Sequence, residues 1–472
     1  MTIDAQGPAQ PFPHSWEQMF GSGRAILSLR ESYREDLRQV KRITGFHYVR
    51  FHAILDDEVG VYGQDAGGHA TYNFQYVDQI YDGLLREGVR PFVELSFMPK
   101  LLAARLDYHP FWYHPIVSPP ADYDRWEALI RAFAQHLVDR YGIDEVSQWY
   151  FEVWNEPNID FWTGRPAQES YFELYDHTAR ALKQVSARLR VGGPATAQAA
   201  WVDAMIAHAA QNHVPLDFVS SHAYGNDTAM DIFGRPRDIP PHQMVCPAVE
   251  KVHRQILDSA SPHLPLIWSE FNATYMSDPQ ITDSIYMGPW LAQTIRNCAG
   301  EAEMMSFWTF SDVFEEQGVI RTPFFGGFGL IAMDHIPKAS FRAFELLHAL
   351  GDVRLPVPAD DLLATRRRDG TLVLAAWNAA EPGTRVPEKS IRIAVKGAPQ
   401  NSIASIQRLD GGHGDVLAAD RKMGSPAYPS RKQLAQLRAV TAPEQPDRER
   451  LHGGVLTLDI PPQGLAVVEI GR

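Results

Sequence analysis

Short apolar runs alternate with longer amphipathic stretches from about residue 25 to about residue 350. The runs at 46–52, 89–97 and 149–153 have the length and the aromatic content of buried strands. Between the first two, residues 74–88 carry apolar side chains at intervals of three and four, the spacing of a helix that buries one face. The pattern therefore predicts alternating strands and helices.

Two of the predicted helices have recognisable ends. Gly88 follows the first, and glycine is the usual residue where a helix stops. The second begins after Pro119 and Pro120, where Asp122 can cap the free backbone amides, and its apolar stripe ends before Gly142. These ends support the assignment of both stretches as helices.

About eight strand and helix units follow one another along the chain. Further strands are predicted near 25–27, 189–194, 217–224, 265–270 and 303–310, and further helices near 169–188, 201–212, 248–259, 281–299 and 338–350. Such a count matches an α/β fold, a closed (β/α)8 TIM barrel over residues 25–350. An open doubly wound sheet is the alternative, but it would need a glycine-rich phosphate turn, and GSGR at 21–24 is too short for one.

The pattern changes after about residue 352. Helical stripes give way to β-rich runs at 371–378, 390–395, 455–460 and 465–470, which predict an appended antiparallel β-sandwich over residues 351–472. The polar, proline-containing stretch 421–450 is expected to be a long surface excursion. Residues 1–24 form an N-terminal segment that could pack on the sandwich.

Length and charge limit the kinds of partner. A chain of 472 residues exceeds one hydrophobic core, and no apolar run is long enough to span a membrane. The first 20 residues lack a basic start followed by an apolar stretch, so no secretory signal is recognised. The net charge of −13 argues against nucleic acid or an anionic membrane as a partner. We therefore expect a soluble, cytoplasmic protein.

The two cysteines, Cys246 and Cys298, bear on the same expectation. In so long a chain two cysteines are more often free buried thiols than a disulfide framework. We therefore expect free thiols, which suit a reducing compartment.

Two predicted strands end at a glutamate. The run 149–153 leads to Glu156, where Pro157 prevents further strand pairing, and 265–270 ends at Glu270. In a barrel of this kind, the carboxyl ends of the strands meet around one cleft. A single glutamate at a strand end is more often a surface or capping residue. A facing pair is the apparatus of glycoside hydrolysis, with one acid and one nucleophile or base.

Longer motifs surround these positions. They are WNEPN at 154–158, HAY at 222–224, WSEFNATY at 268–275, WTFSDVFEE at 308–316 and GGFGL at 326–330. Together they resemble glycoside hydrolase family 39, and its bacterial β-xylosidases in particular. The resemblance implies a retaining exo-enzyme that cleaves β-1,4-linked xylose from xylobiose and short xylo-oligosaccharides. It also implies that Glu156 is the acid/base and Glu270 the nucleophile, and it leaves the oligomeric state open.

The same resemblance implies a set of substrate-binding residues. Each also has a simpler interpretation, such as a structural histidine, an acidic turn, a core aromatic or a solvated loop. The set is His52, Asp57, Trp112, Asn155, His222, Tyr224, Tyr275, Trp308, Glu315, Glu316 and Phe328.

No metal or cofactor is required by the sequence. It contains no His-Glu-x-x-His motif, cysteine cluster or calcium loop, although His52, Asp57 and His222 could converge as ligands.

Two other functions remain open. An α-L-iduronidase of the same family would need cationic groups for the uronic carboxylate, which the adjacent Glu315 and Glu316 would repel. A non-catalytic sugar-binding barrel would be indicated by the loss of either Glu156 or Glu270, and both are present.

Overall fold

Eight parallel strands close into a barrel at the centre of the larger domain. The computed structural model describes residues 1–398 and 402–471. Each strand pairs with the next in chain order, and the last pairs with the first. The strands are Met19–Gly21, Tyr48–Phe51, Arg90–Leu95, Tyr150–Val153, Arg190–Thr196, Phe218–His222, Leu266–Phe271 and Met304–Phe307. The predicted barrel is confirmed, and the open doubly wound sheet is excluded.

The first strand lies earlier than predicted. Residues Ala25–Leu29, where a strand was expected, form a 3-10 helix, and Met19–Gly21 fills the first position of the barrel. Three residues are too few for an alternating pattern to be recognised in the sequence. Gly21 is required here because a Cβ atom would lie 2.1 Å from the ring of Trp308.

A ring of helices surrounds the barrel. Asp122 caps its helix as predicted, since its side chain accepts from the amides of Asp124 and Arg125. Residues 281–286 precede their helix instead of opening it. The helices between and after the strands are Glu31–Thr44, Gln75–Arg86, Tyr123–Tyr141, Ile143–Val146, Ala167–Val185, Val202–Asn212, Ala229–Phe233, Val245–Leu257, Met287–Asn297 and Ala339–Leu347.

Two sheets form the appended β-sandwich. The larger has the order Gln10–Pro11, Val353–Leu355, Leu362–Arg366, Leu372–Trp377, Leu465–Ile470, Ile403–Leu409 and Asp447–Arg450. The smaller has the order Thr2–Asp4, Lys389–Lys396 and Val455–Ile460. Alternate apolar residues of both sheets share one core, which explains the period of two along these strands.

Two details of the sandwich differ from expectation. Thr2–Asp4 pairs parallel to Lys389–Lys396, so the smaller sheet is mixed instead of purely antiparallel. The region 421–450 is not a plain excursion, because helices Val416–Lys422 and Arg431–Val440 lie in and beside it. Their apolar residues cover Ala332 and Ile336 of the barrel domain. The N-terminal segment supplies a strand to each sheet of the sandwich and the first strand of the barrel.

The expectation of free thiols is wrong. Cys246 and Cys298 form a disulfide, with Cα atoms 5.1 Å apart. Cys246 lies in helix Val245–Leu257, and Cys298 directly follows helix Met287–Asn297, the next long helix around the barrel. Sequence separation hides this proximity, which the closed ring of helices creates. The two cysteines therefore do not indicate a reducing compartment. Within the described part of the chain, no helix is both long and apolar enough to cross a membrane.

Candidate active site

A cavity of about 430 Å³ opens at the carboxyl ends of the barrel strands. Both predicted glutamates line it. Of the other predicted residues, His52, Asn155, Tyr224, Tyr275, Trp308, Glu316 and Phe328 line it too. The remaining lining residues are His109, Phe111, Ile159, Asp160, Phe161, Ala197, Gln198, Asp227 and Gln317.

Glu156 is delivered by a sharp turn after the fourth barrel strand. The backbone of Trp154 and of Glu156 takes positive φ values of 70° and 43°, a strained region for residues other than glycine. Hydrogen bonds to residues outside the turn stabilise it. The Glu156 amide donates to the carbonyl of Ala195 at 2.8 Å. The indole of Trp154 donates to the carbonyl of Phe161 at 2.7 Å. The proline pattern in the sequence predicted the strand end, and these bonds aim the carboxyl into the cavity.

Glu270 lies in the seventh barrel strand, with both carboxylate oxygens hydrogen-bonded. Arg50 donates to Oε1 at 2.6 Å, and the hydroxyl of Tyr224 donates to Oε2 at 2.6 Å. Both partners favour the ionised carboxylate and restrict its rotation. Glu270 is therefore built as a fixed anion.

The two glutamates face each other closely. One carboxylate oxygen of each, together with a ring nitrogen of His222, lie within 4.8 Å of one another. Burial raises the pKa of Glu156 well above its usual range, and the charges of Glu270 and Asp227 raise it further. Glu156 is therefore held as a protonated acid beside an ionised partner, which is the division of roles that glycoside hydrolysis uses.

Arg50 was missed by the sequence interpretation, yet it connects most of the site. It is fully buried, and its guanidinium also binds Glu152 at 2.6 Å, Glu94 at 2.8 Å and Asn155 at 2.9 Å. The signal in the sequence was a charged residue inside an apolar strand pattern, at positions 50, 94 and 152. Buried charges must be paired, so three such strands in one barrel point to an internal ionic network.

His222 contacts Glu156 more closely than Glu270. Its Nδ1 lies 2.9 Å from Glu156 and 3.7 Å from Glu270, and its Nε2 lies 3.1 Å from the hydroxyl of Ser269. Burial lowers the pKa of His222 well below its usual value, as do the charges of Arg50 and His52. The neutral ring of His222 contacts Glu156 and does not line the cavity, although the resemblance implied that His222 binds the substrate.

His52 connects the network to the predicted acidic motif. Its Nδ1 lies 2.7 Å from Glu94, and its Nε2 lies 3.7 Å from Glu316. Burial opposes a charge on His52, but the Glu94 carboxylate raises its pKa overall. Burial raises the pKa of Glu316 to about 8, although His52 opposes the rise. Glu316 therefore reaches the cavity floor as a group that can be neutral near pH 7.

The adjacent glutamates of the motif point in different directions. Glu315 forms a bidentate pair with Arg30, at 2.5 and 2.9 Å, and lies 3.8 Å from Arg24. Its φ of 60° marks the turn that separates it from Glu316. Glu315 is not part of the cavity lining, so the cavity receives only one member of the predicted acidic pair.

Two other predicted residues lie outside the lining. The side chain of Asp57 accepts from the backbone amide of Lys100 at 3.1 Å, on the surface. Trp112 is 51% exposed, and the Arg24 guanidinium lies 5.9 Å from its ring centre. The Trp112 amide donates to the carbonyl of Glu316 at 2.8 Å, so this loop supports the acidic motif through its backbone.

Aromatic rings form one side of the cavity. Trp308, Phe328 and Tyr224 belong to one buried cluster with Phe314 behind them. The Trp308 ring lies 4.8 Å from the His52 ring, next to the carboxylates, while Tyr275 is 52% exposed. Flat apolar faces of this kind are suited to stacking against a sugar ring.

Metal binding by His52, Asp57 and His222 receives no support. Among the described residues, these three do not form a group of ligand atoms within 4.8 Å, whereas Glu156, His222 and Glu270 do. The proximity of Glu156, His222 and Glu270 is explained by their hydrogen bonds and by the opposed carboxyls. Metal independence remains a prediction.

A buried ion triad supports the loop that carries Phe328. Lys338 lies 2.6 Å from Asp283 and 2.7 Å from Asp312, and all three are fully buried. Asp283 accepts from the amide of Gly326, Asp312 accepts from the amide of Gly329, and Lys338 donates to the carbonyl of Gly327. The triad therefore fixes the GGFGL loop on both sides of Phe328.

A closed (β/α)8 barrel with two opposed carboxyls at the carboxyl ends of its strands defines a glycoside hydrolase. The family model for glycosyl hydrolases family 39 matches residues 1–453, and this chain belongs to that family.

Relatives and solved structures agree with the assignment. A beta-xylosidase from Geobacillus stearothermophilus is 35% identical over 461 residues, covering 96% of this chain and 91% of the relative. A beta-xylosidase from Caldicellulosiruptor saccharolyticus is 36% identical over 431 residues, covering 89% and 87%. The crystal structure of a monomeric beta-xylosidase from Caulobacter crescentus CB15 matches with a TM-score of 0.90 at 32% identity, covering 100% of this chain and 99% of that chain.

The triad leads to a prediction about Lys338. Lys338→Met leaves Asp283 and Asp312 buried without their cation, so we expect a loss of about 3–5 kcal/mol of stability and a lower temperature of unfolding. The loop around Phe328 should loosen, so KM should rise. Thermal unfolding and steady-state kinetics measure both effects. Lys432→Met, at an exposed lysine of helix Arg431–Val440, is the matched control. Unchanged unfolding and KM in Lys338→Met would contradict the bracing role.

Proposed function

We propose that this glycosidase is a retaining, exo-acting β-D-xylosidase that releases xylose from the non-reducing ends of xylobiose and short xylo-oligosaccharides. The observation that carries the proposal is the separation of Glu156 and Glu270, whose nearest oxygens lie within 4.8 Å. Retaining enzymes hold their carboxyls about 5–5.5 Å apart, and inverting enzymes need about 6.5–9.5 Å to admit a water. The beta-xylosidases from Geobacillus stearothermophilus and Caldicellulosiruptor saccharolyticus, at 35% and 36% identity, support the choice of sugar.

In the first step, Glu270 attacks the anomeric carbon of the terminal xylose. The bond from that carbon to the leaving oxygen breaks as Glu156 donates its proton to the oxygen. The hydrogen bonds from Arg50 and Tyr224 hold the attacking carboxylate in place. The products are a shortened oligosaccharide and xylose esterified to Glu270.

In the second step, Glu156 is a carboxylate and acts as the base. It takes a proton from a water molecule, whose oxygen attacks the anomeric carbon and displaces Glu270. Xylose leaves with its original configuration, and Glu156 is protonated again. Esterification of Glu270 removes the negative charge that raises the pKa of Glu156, so this pKa falls between the two steps.

The cavity lining favours a neutral sugar over a uronic acid. Among the described residues that line it, none is lysine or arginine, so an iduronate carboxylate would have no strong cationic partner. An acidic Glu315–Glu316 pair does not repel a substrate here, because Glu315 forms an ion pair with Arg30 outside the cavity. Glu316 can offer a hydroxyl or an acceptor oxygen to xylose. The α-L-iduronidase alternative is therefore disfavoured by missing cations more than by repulsion.

Four finer expectations about action, location and partners belong to this proposal. Exo action is supported by a cavity whose buried end holds Trp308 and Glu270, while the exposed Tyr275 stands at the rim. A binding protein without turnover is disfavoured because it would not need the raised pKa of Glu156. A cytoplasmic location and the absence of nucleic-acid partners stay predictions from the sequence.

Glu270 can be tested by removal and rescue. Glu270→Ala should lower kcat by at least about a thousandfold, because the first step loses its nucleophile. Sodium azide fits the vacated space and should restore turnover, giving the α-xylosyl azide of inverted configuration. Product analysis by NMR measures the configuration, and Glu303→Ala, at an exposed glutamate, is the control. Hydrolysis near the wild-type rate without azide would remove Glu270 from this role.

Glu156 should behave differently because an acid matters most for a poor leaving group. Glu156→Ala should nearly stop cleavage of xylobiose, yet still release dinitrophenol from 2,4-dinitrophenyl β-xyloside in a burst. Azide should now yield the β-azide of retained configuration, since it replaces the water of the second step. Stopped-flow absorbance measures the burst, and Glu303→Ala again serves as the control. Equal losses on both substrates would argue against acid/base catalysis by Glu156.

The choice of sugar can be tested on matched nitrophenyl glycosides. The aromatic side of the cavity should exclude the hydroxymethyl group of glucose, so kcat/KM for the β-xyloside should exceed that for the β-glucoside by about 100-fold. No cleavage of an α-L-iduronide is expected. Glu270→Ala should abolish every activity in the panel, which shows that one site produces them all. Comparable kcat/KM for iduronide and xyloside would overturn the substrate and leave the retaining mechanism intact.

A further inference from the structure

Four side chains, three of them fully buried, form one hydrogen-bonded chain across the barrel. Glu152 of the fourth strand lies 2.7 Å from Ser269 of the seventh, and Ser269 lies 3.1 Å from Nε2 of His222. Nδ1 of His222 then lies 2.9 Å from Glu156. Glu152, Ser269 and His222 have no exposed surface. Each contact joins one donor to one acceptor, so the chain has a direction that its end groups determine.

Glu152 sets the direction at one end. Burial raises the pKa of Glu152, but its Oε2 accepts a charge-assisted bond from Arg50 at 2.6 Å, and this bond opposes the rise and favours the ionised carboxylate. An ionised carboxylate only accepts, so the Ser269 hydroxyl must donate to Oε1. That hydroxyl has one hydrogen, so toward His222 its oxygen can only accept. The ring proton of His222 therefore lies on Nε2.

His222 transmits the direction of the hydrogen-bonded chain to Glu156. A neutral imidazole with its proton on Nε2 presents a lone pair at Nδ1. The ring is neutral because burial, then Arg50 and His52, lower its pKa well below the usual value. The group that faces Nδ1 must then donate, and that group is Glu156. Glu156 can satisfy the contact only when it is protonated.

We propose that Ser269 is a positioning residue that fixes the tautomer of His222 and thereby keeps Glu156 protonated before the first step and strongly basic in the second. The roles of the two steps rest on the proposed function, whereas the tautomer itself does not. Ser269 does not line the cavity, so it acts on the reaction only through His222 and Glu156.

This arrangement complements the charge of Glu270. The negative charge on Glu270 raises the pKa of Glu156 only while Glu270 is free, because esterification in the glycosyl-enzyme removes it. The chain through Ser269 does not include Glu270, so its effect continues in the second step. In that step the lone pair at Nδ1 faces the ionised carboxylate of Glu156 and disfavours its negative charge. Glu156 is therefore a stronger base when it takes a proton from water.

The direct test is the position of the hydrogens in the wild-type protein. Neutron diffraction from crystals exchanged into D2O should show deuterium on Nε2 of His222 and on Glu156, and none on Nδ1. Deuterium on Nδ1 would overturn the proposal. This measurement needs no substrate, so it decides about the tautomer even if the enzyme does not cleave xylosides.

The functional test uses three variants. Ser269→Ala removes the acceptor for Nε2 without removing a charge, and Ser269→Thr keeps the hydroxyl. Ser306→Ala is the matched control, because Ser306 is a fully buried serine of the eighth strand whose hydroxyl has no hydrogen-bond partner among the described residues. Circular dichroism checks that each variant is folded.

In Ser269→Ala the ring of His222 is free to carry its proton on Nδ1 and donate to an ionised Glu156. The pKa of Glu156 should then fall, so the basic limb of kcat/KM, which reports loss of the protonated acid, should move down by about one pH unit. Glu270, Asp227, Arg50 and Glu316, the other charged or titratable groups that act on Glu156, are unchanged in this variant.

The loss should also depend on the leaving group. At a pH above the shifted limb, xylobiose cleavage should fall about tenfold, while release of dinitrophenol in the first step should change little. Ser269→Thr and Ser306→Ala should keep the wild-type limb. An unmoved limb in Ser269→Ala, or an equal loss on both substrates, would contradict the positioning role and leave the xylosidase assignment standing.

Discussion

The buried guanidinium of Arg50 is the interaction on which the site depends. One positive charge lies among Glu94, Glu152 and Glu270, on three other strands of the barrel. Removing such a charge would leave three carboxylates facing one another without solvent, which is far more costly than breaking a surface pair. Arg50 therefore stabilises the closed barrel around these strands, and its hydrogen bond restricts the orientation of Glu270.

The network extends in two directions from Arg50. Glu94 orients His52 and reaches the floor of the cavity at Glu316, and Glu152 orients Ser269 and reaches His222. Both branches begin inside strands, and the second continues from His222 to Glu156, so each ends at a glutamate that lines the cavity. Side chains on strands are positioned more rigidly than side chains on loops, and a fully bonded polar network restricts them further. The loops contribute further lining residues, such as Phe328. The Lys338 triad fixes the backbone of the loop that carries Phe328.

The sequence predicted the barrel, the sandwich and both strand-end glutamates, because alternation and strand ends are local patterns. The sequence did not reveal that the side chains of Glu315 and Glu316 point in different directions, because this depends on a single positive φ at Glu315. The disulfide between Cys246 and Cys298 was missed because closure of the ring of helices brings together residues that are distant in the sequence. The strand Met19–Gly21 was missed because three residues are too few to show an alternating pattern. Arg50, by contrast, left a readable sign, a charge inside an apolar strand.

The proposed mechanism requires Glu156 and Glu270 to differ in protonation although their nearest oxygens lie within 4.8 Å. Exposure to solvent does not explain the difference in protonation, since both side chains are largely buried. The difference lies in their hydrogen-bond partners. Arg50 and the Tyr224 hydroxyl donate to Glu270 and stabilise the anion, whereas the neutral His222 presents an acceptor to Glu156 and stabilises the acid. Their mutual repulsion then reinforces the choice, because ionisation of Glu270 further raises the pKa of Glu156. The barrel thus assigns the acid and the anion through the direction of its internal hydrogen bonds.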